Sequence, residues 1–296
     1  MLIHSPLKVP PPGPGRFAAT IRKSNVAGCR VAFVGLADDL GVRLNNGRPG
    51  AAGGPVAFRE ALAMYGVAEP AGWEWPAVCD VGDVIPAPGN DAAALAVTHD
   101  GISEIAAGLA RAGVIVVGIG GGHDLTFPLV RGVSEVHGPL AGEYFDAHLD
   151  VRETVGSGMP FRKLMEECGA GPLRVHGLNA LANSREHTAW FTSRGGTIEK
   201  AGASPESLGA GRGKMFVSMD LDVLDAAHAP GVSAMNAAGW AVRELEAWAF
   251  AAGRDPRVVC FDLMELCPAH DVGGRTARVA AHLFLTFLRG VSERPR

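Results

Sequence analysis

Residues 145–151 read FDAHLDV and continue a strand-like stretch that begins at residue 143. Apolar side chains occupy every second position from Phe145 to Val151, and this period of two predicts a β-strand over residues 143–149. The residues between them would then point to one side of the strand; they are Asp146, His148 and Asp150. Because a strand inside a parallel sheet is normally apolar on both faces, these polar side chains indicate a functional site at its end.

The stretches on either side of this strand repeat an alternation of strand and helix. Short apolar runs lie at residues 29–37, 114–120, 173–178, 215–224 and 258–266, and helical patterns lie at 55–66, 91–113, 161–168, 183–195, 241–254 and 275–290. The alternation predicts right-handed βαβ units and a mainly parallel sheet with helices on both faces. The sequence has no Pro/Ser-rich linker and no internal repeat. We therefore expect a single three-layer α/β/α domain at 29–296, preceded by a proline-rich N-terminal arm at 1–28.

The composition is that of a globular chain of 296 residues with a formal net charge of −4. No basic stripe is present, so we expect no nucleic acid partner. The five cysteines are odd in number and scattered without a Cys-x-x-Cys pair, which argues against a disulfide framework and a thiolate zinc site. No signal-peptide pattern and no apolar run of about 18 residues occur, so we expect no membrane span and a cytoplasmic location.

Further polar side chains follow other predicted strands. His123 stands in GGGHD (residues 120–124), Asp220 and Asp222 stand in SMDLDVL (218–224), and Glu265 ends another strand. Ligands gather at the carboxyl ends of parallel strands, so these groups should meet the acids and imidazole of FDAHLDV. Alone, GGGHD is also compatible with a phosphate-binding loop or a helix cap, and DxD with a solvated loop or a magnesium site.

Taken together, the three segments supply two imidazoles and four carboxylates, which would repel one another unless protonated or neutralised by cations. This set is too large for one tetrahedral zinc and suits two metals that share bridging carboxylates. Oxygen-rich ligation favours Mn²⁺, with Fe²⁺, Co²⁺, Ni²⁺ and Zn²⁺ left open.

In order and spacing, the three segments resemble the metal-binding motifs of the ureohydrolases, the superfamily of arginase, agmatinase and formimidoylglutamase. The resemblance covers residues from about 30 to 290 and implies an arginase-like α/β domain with two Mn²⁺ per subunit. It implies that one metal is bound by His123, Asp146, Asp150 and Asp220. It implies that the other is bound by His148, Asp146, Asp220 and Asp222, so that Asp146 and Asp220 bridge.

The resemblance also implies the reaction, which is hydrolysis of a C–N bond by hydroxide held between the two metals. Asp150 would be the first proton acceptor. Glu265, in DLMELCP, matches the family pattern D-x-x-E-x-x-P, where the carboxylate faces the cationic amidine or guanidinium group of the substrate. The alternative for Glu265 is a surface carboxylate at a strand end.

Within the superfamily, the loops resemble formimidoylglutamase more than arginase or agmatinase. Ser157-Gly158 stands where the other two usually have His-Gly, and a serine cannot become an imidazolium at neutral pH. The stretches FDAHLDVR, SGMPF, APGVSA (229–234) and GVRLNNGRPGAAGGP (41–55) are similar to that enzyme's patterns. The sequence departs from these patterns at Leu44, Ala226 and Met235. Because of the last two departures, a non-catalytic metal-binding relative stays an alternative.

Formimidoylglutamate, a small acidic amidine, carries two carboxylates that guanidinium groups would bind. Arg152 directly follows the second motif and is our first candidate, with Ser157 and Asn183 as further substrate-binding candidates. Arg43 and Arg48 are candidates that could instead fix the first loop or bridge subunits. The other reading within the superfamily is a hydrolase of a guanidino compound, such as an agmatinase, guanidinobutyrase or arginase. The resemblance also implies a homo-oligomer.

Overall fold

The computed structural model describes residues 3–4, 13, 15–23, 25–66, 74–200, 202–205, 208–209 and 213–295. In these residues ten strands form one sheet. The strands are β1 (Ile3–His4), β2 (Arg22–Lys23), β3 (Val31–Gly35), β4 (Val78–Val84), β5 (Ile115–Ile119), β6 (Ala141–Phe145), β7 (Leu173–His176), β8 (Thr197–Ile198), β9 (Met215–Asp220) and β10 (Val258–Met264).

The strand order is β1-β4-β3-β5-β10-β9-β6-β7-β8, and β2 also pairs with β4. Every pairing is parallel except that of β1 with β4. The predicted mainly parallel sheet is therefore confirmed. At its centre β5, β10, β9 and β6 lie side by side, so their carboxyl ends meet at one edge.

The described part of the chain contains eight α-helices. They are α1 (Leu40–Leu44), α2 (Gly54–Leu62), α3 (Ala92–Arg111), α4 (Thr126–His137), α5 (Pro160–Glu167), α6 (Arg185–Ser193), α7 (Val242–Arg254) and α8 (Arg275–Ser292). One core joins α2, α7 and α8 to one face of the sheet, and a second core joins α3, α4 and α5 to the other. In β3 the side chains alternate between the cores, with Phe33 in the first and Val34 in the second. The three-layer prediction is thus confirmed.

The prediction of a strand over residues 143–149 is wrong beyond Phe145, where β6 ends and a loop begins. The period of two in this loop still matches burial, since Ala147, Leu149 and Val151 are buried in it. Similarly, β9 ends at Asp220, and a 3-10 turn follows at Leu221–Val223. The metal motifs therefore extend past the ends of the strands. In a loop several carboxylates can point to one position, whereas in a straight strand they lie spread along its length.

Strand β4 and helix α4 were not predicted. In β4 the buried Asp80 and Asp83 interrupt the apolar run. Both are paired with the buried Arg59 of α2, whose Nε donates to Asp80 at 2.7 Å and whose Nη1 donates to Asp83 at 2.6 Å. Two carboxylates can be buried there because one guanidinium pairs with both.

Helix α4 contains a proline, which normally argues against a helix. Pro128 lies in the first turn of α4, where a helix tolerates proline.

The N-terminal arm lies partly outside the described residues. Its described parts include β1 and β2, which pair with β4, and a 3-10 turn at Phe17–Thr20 that buries Phe17. The boundary at residue 28 stays a prediction. Among the helices of the described residues, none is both long and apolar enough to cross a bilayer.

Candidate metal centre

The candidate site lies where the four central strands end. His123 follows β5 after three glycines, Asp146 follows β6, Asp220 is the last residue of β9, and Glu265 follows β10. Two of the three non-glycine residues with positive φ in the described chain are here, Asp150 at 47° and Glu265 at 64°. Such conformations are strained for these residue types and persist where the surrounding structure holds them, often at functional sites.

The first cluster is centred on Nδ1 of His123. This atom lies 3.1 Å from Oδ2 of Asp146, 3.0 Å from Oδ2 of Asp150 and 3.0 Å from Oδ2 of Asp220. One potential ligand atom from each residue lies within 4.8 Å of all the others. The structure thus brings together all four residues predicted to hold the first metal.

The second cluster consists of Asp146, His148 and Asp222. Nδ1 of His148 lies 3.3 Å from Oδ1 of Asp146 and 3.0 Å from Oδ2 of Asp222. Asp146 belongs to both clusters, as expected for a bridge. Asp220 lies in the first cluster only, so its predicted bridging role stays a prediction.

The tautomer of His123 is set by a hydrogen-bond chain behind it. The hydroxyl of Ser218 donates to Oδ1 of Asp262 at 2.6 Å and therefore accepts from Nε2 of His123 at 3.0 Å. Thr126 donates to the other oxygen of Asp262 at 3.0 Å. With its proton on Nε2, His123 presents a lone pair on Nδ1 to the three carboxylates, which is the arrangement of a metal-binding histidine.

Two buried atoms of the first cluster, Nδ1 of His123 and Oδ2 of Asp146, make no hydrogen bond within the described chain. Buried polar atoms without partners are costly. Burial would lower the pKa of His123, but Asp220, Asp146 and Asp150 raise it well above its usual value, so without a metal Nδ1 would hold a proton. A divalent cation would satisfy both atoms. The donor set, with four carboxylates and two imidazoles over two overlapping clusters, therefore fits a pair of metal ions.

The electrostatics of the metal-free chain agree with this fit. Burial raises the pKa of Asp146 to about 6, and the charges of Asp150 and Asp222 act in the same direction. The pKa of Asp220 is also raised well above its usual value, by burial first and by Asp222 next. Burial would lower the pKa of His148, but Asp222 and Asp146 raise it to about 12. Without a cation, the cluster retains protons to reduce its negative charge.

Glu265 lies beside the first cluster. Its Oε1 accepts a hydrogen bond from the backbone N–H of His123 at 2.9 Å. Its Oε2 is buried and has no hydrogen-bond partner in the described residues. Burial raises the pKa of Glu265 to about 7, opposed by the hydroxyl of Ser233 and the N–H of His123. The N–H of His123 thus holds the carboxylate at Oε1, the hydroxyl of Ser233 lies near it, and Oε2 makes no hydrogen bond within the described chain.

Arg152 and Ser157 are joined by a residue that the sequence did not single out. Nη1 of Arg152 donates to Oδ1 of Asn45 at 2.7 Å, and Nδ2 of Asn45 donates to the hydroxyl of Ser157 at 3.3 Å. The guanidinium also lies against Gly158, where a Cβ would come within 3.0 Å of Nε. Arg152 is exposed, so its remaining N–H groups are open to solvent.

The other substrate-binding candidates have partners within the chain. Arg43 pairs with Asp39 at 3.2 Å, and Arg48 donates to the carbonyls of Val232 and Ser233 at 2.6 and 3.0 Å. Arg48 thus ties the first loop to the loop that carries APGVSA, and its role towards the substrate stays a prediction. Asn183 bonds the backbone on both sides of His148.

Sequence reasoning missed the residues behind the ligands. A signal was present for two of them, because Ser218 and Asp262 are polar residues at the centre of otherwise apolar strands. They lie opposite each other in the pairing of β9 with β10. Only the sheet order brings them behind His123, and this order was not available from the sequence. No comparable signal marked Thr126 or Asn45.

A family model for the arginase family matches residues 29–289. The chain belongs to the arginase family. Its curated relatives include the formimidoylglutamase of Aromatoleum aromaticum, which is 33% identical over 298 residues, covering 90% of this chain and 84% of the relative.

Two solved structures resemble this arginase-family chain over nearly its whole length. The Trypanosoma cruzi formiminoglutamase with Mn²⁺₂ has a TM-score of 0.86 and 27% identity and covers 95% of this chain and 99% of its own. The proclavaminate amidino hydrolase of Streptomyces clavuligerus has a TM-score of 0.84 and 26% identity and covers 97% and 100%. The family and the arginase-like fold expected from the motifs are confirmed.

Proposed function

We propose that this chain hydrolyses N-formimidoyl-L-glutamate to L-glutamate and formamide, a step of histidine breakdown, with two Mn²⁺ per subunit. The observation that carries the proposal is the pair of His/Asp clusters that share Asp146 at the carboxyl ends of the central strands. It is supported by the formimidoylglutamases among the relatives and by the Mn²⁺₂ of the Trypanosoma cruzi enzyme.

Six residues would hold the metals: His123, Asp146, His148, Asp150, Asp220 and Asp222. When bound, two divalent ions would supply an activated water for attack on the amidine carbon. The carboxylate of Asp150 is the most accessible member of the first cluster, with its side chain 13% exposed against at most 3% for the others. This access suits it to accept the first proton and pass it to the departing amine.

Glu265 would bind the amidinium end of the substrate. Its Oε2 makes no hydrogen bond in the described chain, and a cationic amidine donates to a carboxylate through strong charge-assisted bonds. The hydrogen bond from His123 N to Oε1 fixes the carboxylate next to a metal ligand. Glu265 would therefore orient the reacting carbon towards the centre and stabilise charge that develops on the nitrogen.

The carboxylates of the substrate would be bound by Arg152, assisted by Ser157. The contacts of Arg152 with Asn45 and Gly158 limit its side-chain freedom and leave N–H groups available, so less entropy is lost when an anion binds. Arg43 is half exposed beside Asp39 and is a secondary candidate. Arg48 is the weakest candidate, because its Nε and Nη2 donate to carbonyls within the chain.

A second candidate is hydrolysis of a guanidino compound, which the similarity to the Streptomyces clavuligerus amidino hydrolase supports. The exposed Arg152 favours the acidic amidine over agmatine, which carries no carboxylate. Arginine has one carboxylate where formimidoylglutamate has two, so it offers fewer anionic groups to Arg152.

The test is a substrate panel on Mn²⁺-loaded protein with formimidoylglutamate, arginine, agmatine and guanidinobutyrate. We expect release of formamide and glutamate from formimidoylglutamate, with little urea from the guanidines. Strong urea release without turnover of formimidoylglutamate would establish the second candidate instead. No turnover of any compound by protein that binds two Mn²⁺ would support the non-catalytic relative.

A cytoplasmic location and a homo-oligomeric state remain parts of this proposal. The first fits the five scattered cysteines of the sequence, which form no disulfide in the described chain. The second follows from the family resemblance. Fractionation of the native source and light scattering on the purified protein are the measurements that check them.

A further inference from the structure

Three asparagine carboxamides connect the two loops that carry the ligands of the second cluster. They are Asn183, Asn179 and Asn236. We propose that Asn183, supported by the other two, is a positioning residue for the second metal and sets the conformation of the loop around His148. The inference rests on the metal centre proposed above and is independent of the identity of the substrate.

Asn183 bonds the backbone on both sides of His148. Its Oδ1 accepts from Leu149 N at 2.9 Å, and its Nδ2 donates to the carbonyl of Ala147 at 2.8 Å. The same Nδ2 donates to the carbonyl of Asn179 at 2.8 Å. Both N–H groups of the carboxamide are therefore used within the chain, which leaves none to donate to a substrate.

Asn179 and Asn236 extend these bonds to the other ligand loop. The backbone N–H of Asn179 donates to the carbonyl of Ala147 at 3.0 Å, and its Nδ2 donates to Oδ1 of Asn236 at 3.2 Å. Nδ2 of Asn236 in turn lies 3.5 Å from the carbonyl of Val223, the residue after Asp222. One row of hydrogen bonds thus runs from the residues beside His148 to the residue beside Asp222.

The loop around His148 depends on such support because it lies beyond the last sheet pairing of β6, at Phe145. The His148 side chain is also 29% exposed, whereas that of His123 is 1% exposed and bonded to Ser218. The first cluster is thus supported by Ser218 and Asp262 inside the sheet, and the second by asparagines in the loops. The two metals should therefore respond to different substitutions.

The test compares Mn²⁺ binding by three proteins. They are the wild type, Asn183→Ala and Ser218→Ala, the last of which removes a support of the first cluster. Outer partners of metal ligands typically contribute about 10- to 100-fold in metal affinity. We expect Asn183→Ala to weaken one of two Mn²⁺ by that factor and to leave the other unchanged. Electron paramagnetic resonance of the half-loaded variant should then show isolated Mn²⁺ in place of a coupled pair.

Two further variants separate positioning from a general effect on folding. In a His148→Ala protein, which lacks a second-site ligand, adding Asn183→Ala should change the affinity of the remaining Mn²⁺ no further. Asn25→Ala is the matched control, because Asn25 bonds the N–H of Ala27 in an exposed loop away from the site. It should bind two Mn²⁺ as wild type does.

Two outcomes would overturn the inference. One is Asn183→Ala with both Mn²⁺ affinities unchanged and only KM raised, which would make Asn183 a substrate contact. The other is equal weakening of both metals that persists in the His148→Ala background. If Asn183→Ala does not fold, Asn179→Ala carries the same expectation at the lower end of the range. Metal binding is measured without substrate. If the proposed substrate is wrong, the effect of Asn183→Ala on Mn²⁺ affinity can therefore still be interpreted.

Discussion

Asp146 and Asp220 make the same local hydrogen bond at the ends of two neighbouring strands. In each, Oδ1 accepts a hydrogen bond from the backbone N–H two residues further on, at 2.6 Å for Asp146 and 2.7 Å for Asp220. In each, Oδ2 approaches Nδ1 of His123, at 3.1 and 3.0 Å. The residue two positions on is also a predicted ligand in both cases, His148 and Asp222. The two carboxylates therefore make matching contacts with His123.

Replacing either acid should remove metal from both sites. We expect Asp146→Ala to lose both Mn²⁺, because Asp146 belongs to both clusters, and Asp220→Ala to do so if Asp220 also bridges. Metal analysis after dialysis is the measurement. Asp100→Ala is the control, since Asp100 is an exposed residue of α3 that pairs with Arg131. Retention of one Mn²⁺ by Asp220→Ala would restrict Asp220 to the first site.

Arg152→Ala should weaken substrate binding and leave the metals in place. Loss of a hydrogen bond to a charged group costs about 1.5–3 kcal/mol, which corresponds to a KM raised about 10- to 100-fold. The expected kcat is little changed, because Arg152 would bind a carboxylate of the substrate and not the reacting amidine group. Steady-state kinetics with formimidoylglutamate measure KM and kcat. Arg131→Ala, on α4, is the control for an arginine outside the site. Unchanged kinetics would contradict the role of Arg152 as an anchor.

The fold and the ligand set were predictable for different reasons. The strands at residues 31–35 and 115–119 are uninterrupted runs without a polar side chain, which the pattern of a buried parallel strand describes well. The ligands were predictable because imidazole and carboxylate groups at strand ends in one α/β domain must meet at one edge. Neither inference needed the order of strands in the sheet.

What the sequence did not reveal depends on contacts between distant segments. Strand β4 was hidden by Asp80 and Asp83, whose burial makes sense only once Arg59 is known to lie against them. The role of Asn183 was likewise hidden, because the two partners beside His148 are backbone groups 34 and 36 residues away in the sequence. Such pairs are set by tertiary packing, and no local pattern encodes them.

Breaking the buried pair between α2 and β4 should destabilise the whole domain. Arg59→Met removes the guanidinium that both Asp80 and Asp83 face, and removing one partner of a buried ion pair costs about 3–5 kcal/mol. Urea unfolding followed by circular dichroism measures the loss. Arg111→Met is the matched control, because Arg111 pairs with Glu135 at the surface. Similar stability of the two variants would show that the buried pair contributes little.

The stability of the metal-free protein should fall as pH rises. Burial raises the pKa of Asp146 to about 6 and that of Glu265 to about 7, so the folded chain binds more protons than the unfolded chain between about pH 4 and pH 7. Unfolding is therefore favoured as these protons leave. With Mn²⁺ present the trend should reverse, because metal binding strengthens as its ligands lose protons. Thermal unfolding at about pH 5 and about pH 7.5, with chelator and with Mn²⁺, gives the comparison. If thermal stability changed with pH in the same direction with chelator and with Mn²⁺, the assignment of this cluster as a metal centre would be contradicted.

Glu265→Gln should separate metal binding from catalysis. The variant keeps an oxygen to accept the hydrogen bond from His123 N, so both Mn²⁺ should remain. It removes the negative charge at the position of Oε2, where we expect the cationic amidine to bind, and loss of one such electrostatic contact typically lowers kcat by about 100- to 1000-fold. Metal analysis together with single-turnover kinetics measures both properties on the same sample. Loss of metal from Glu265→Gln would make Glu265 a support for His123, whereas wild-type turnover with full metal content would show that the amidine binds elsewhere.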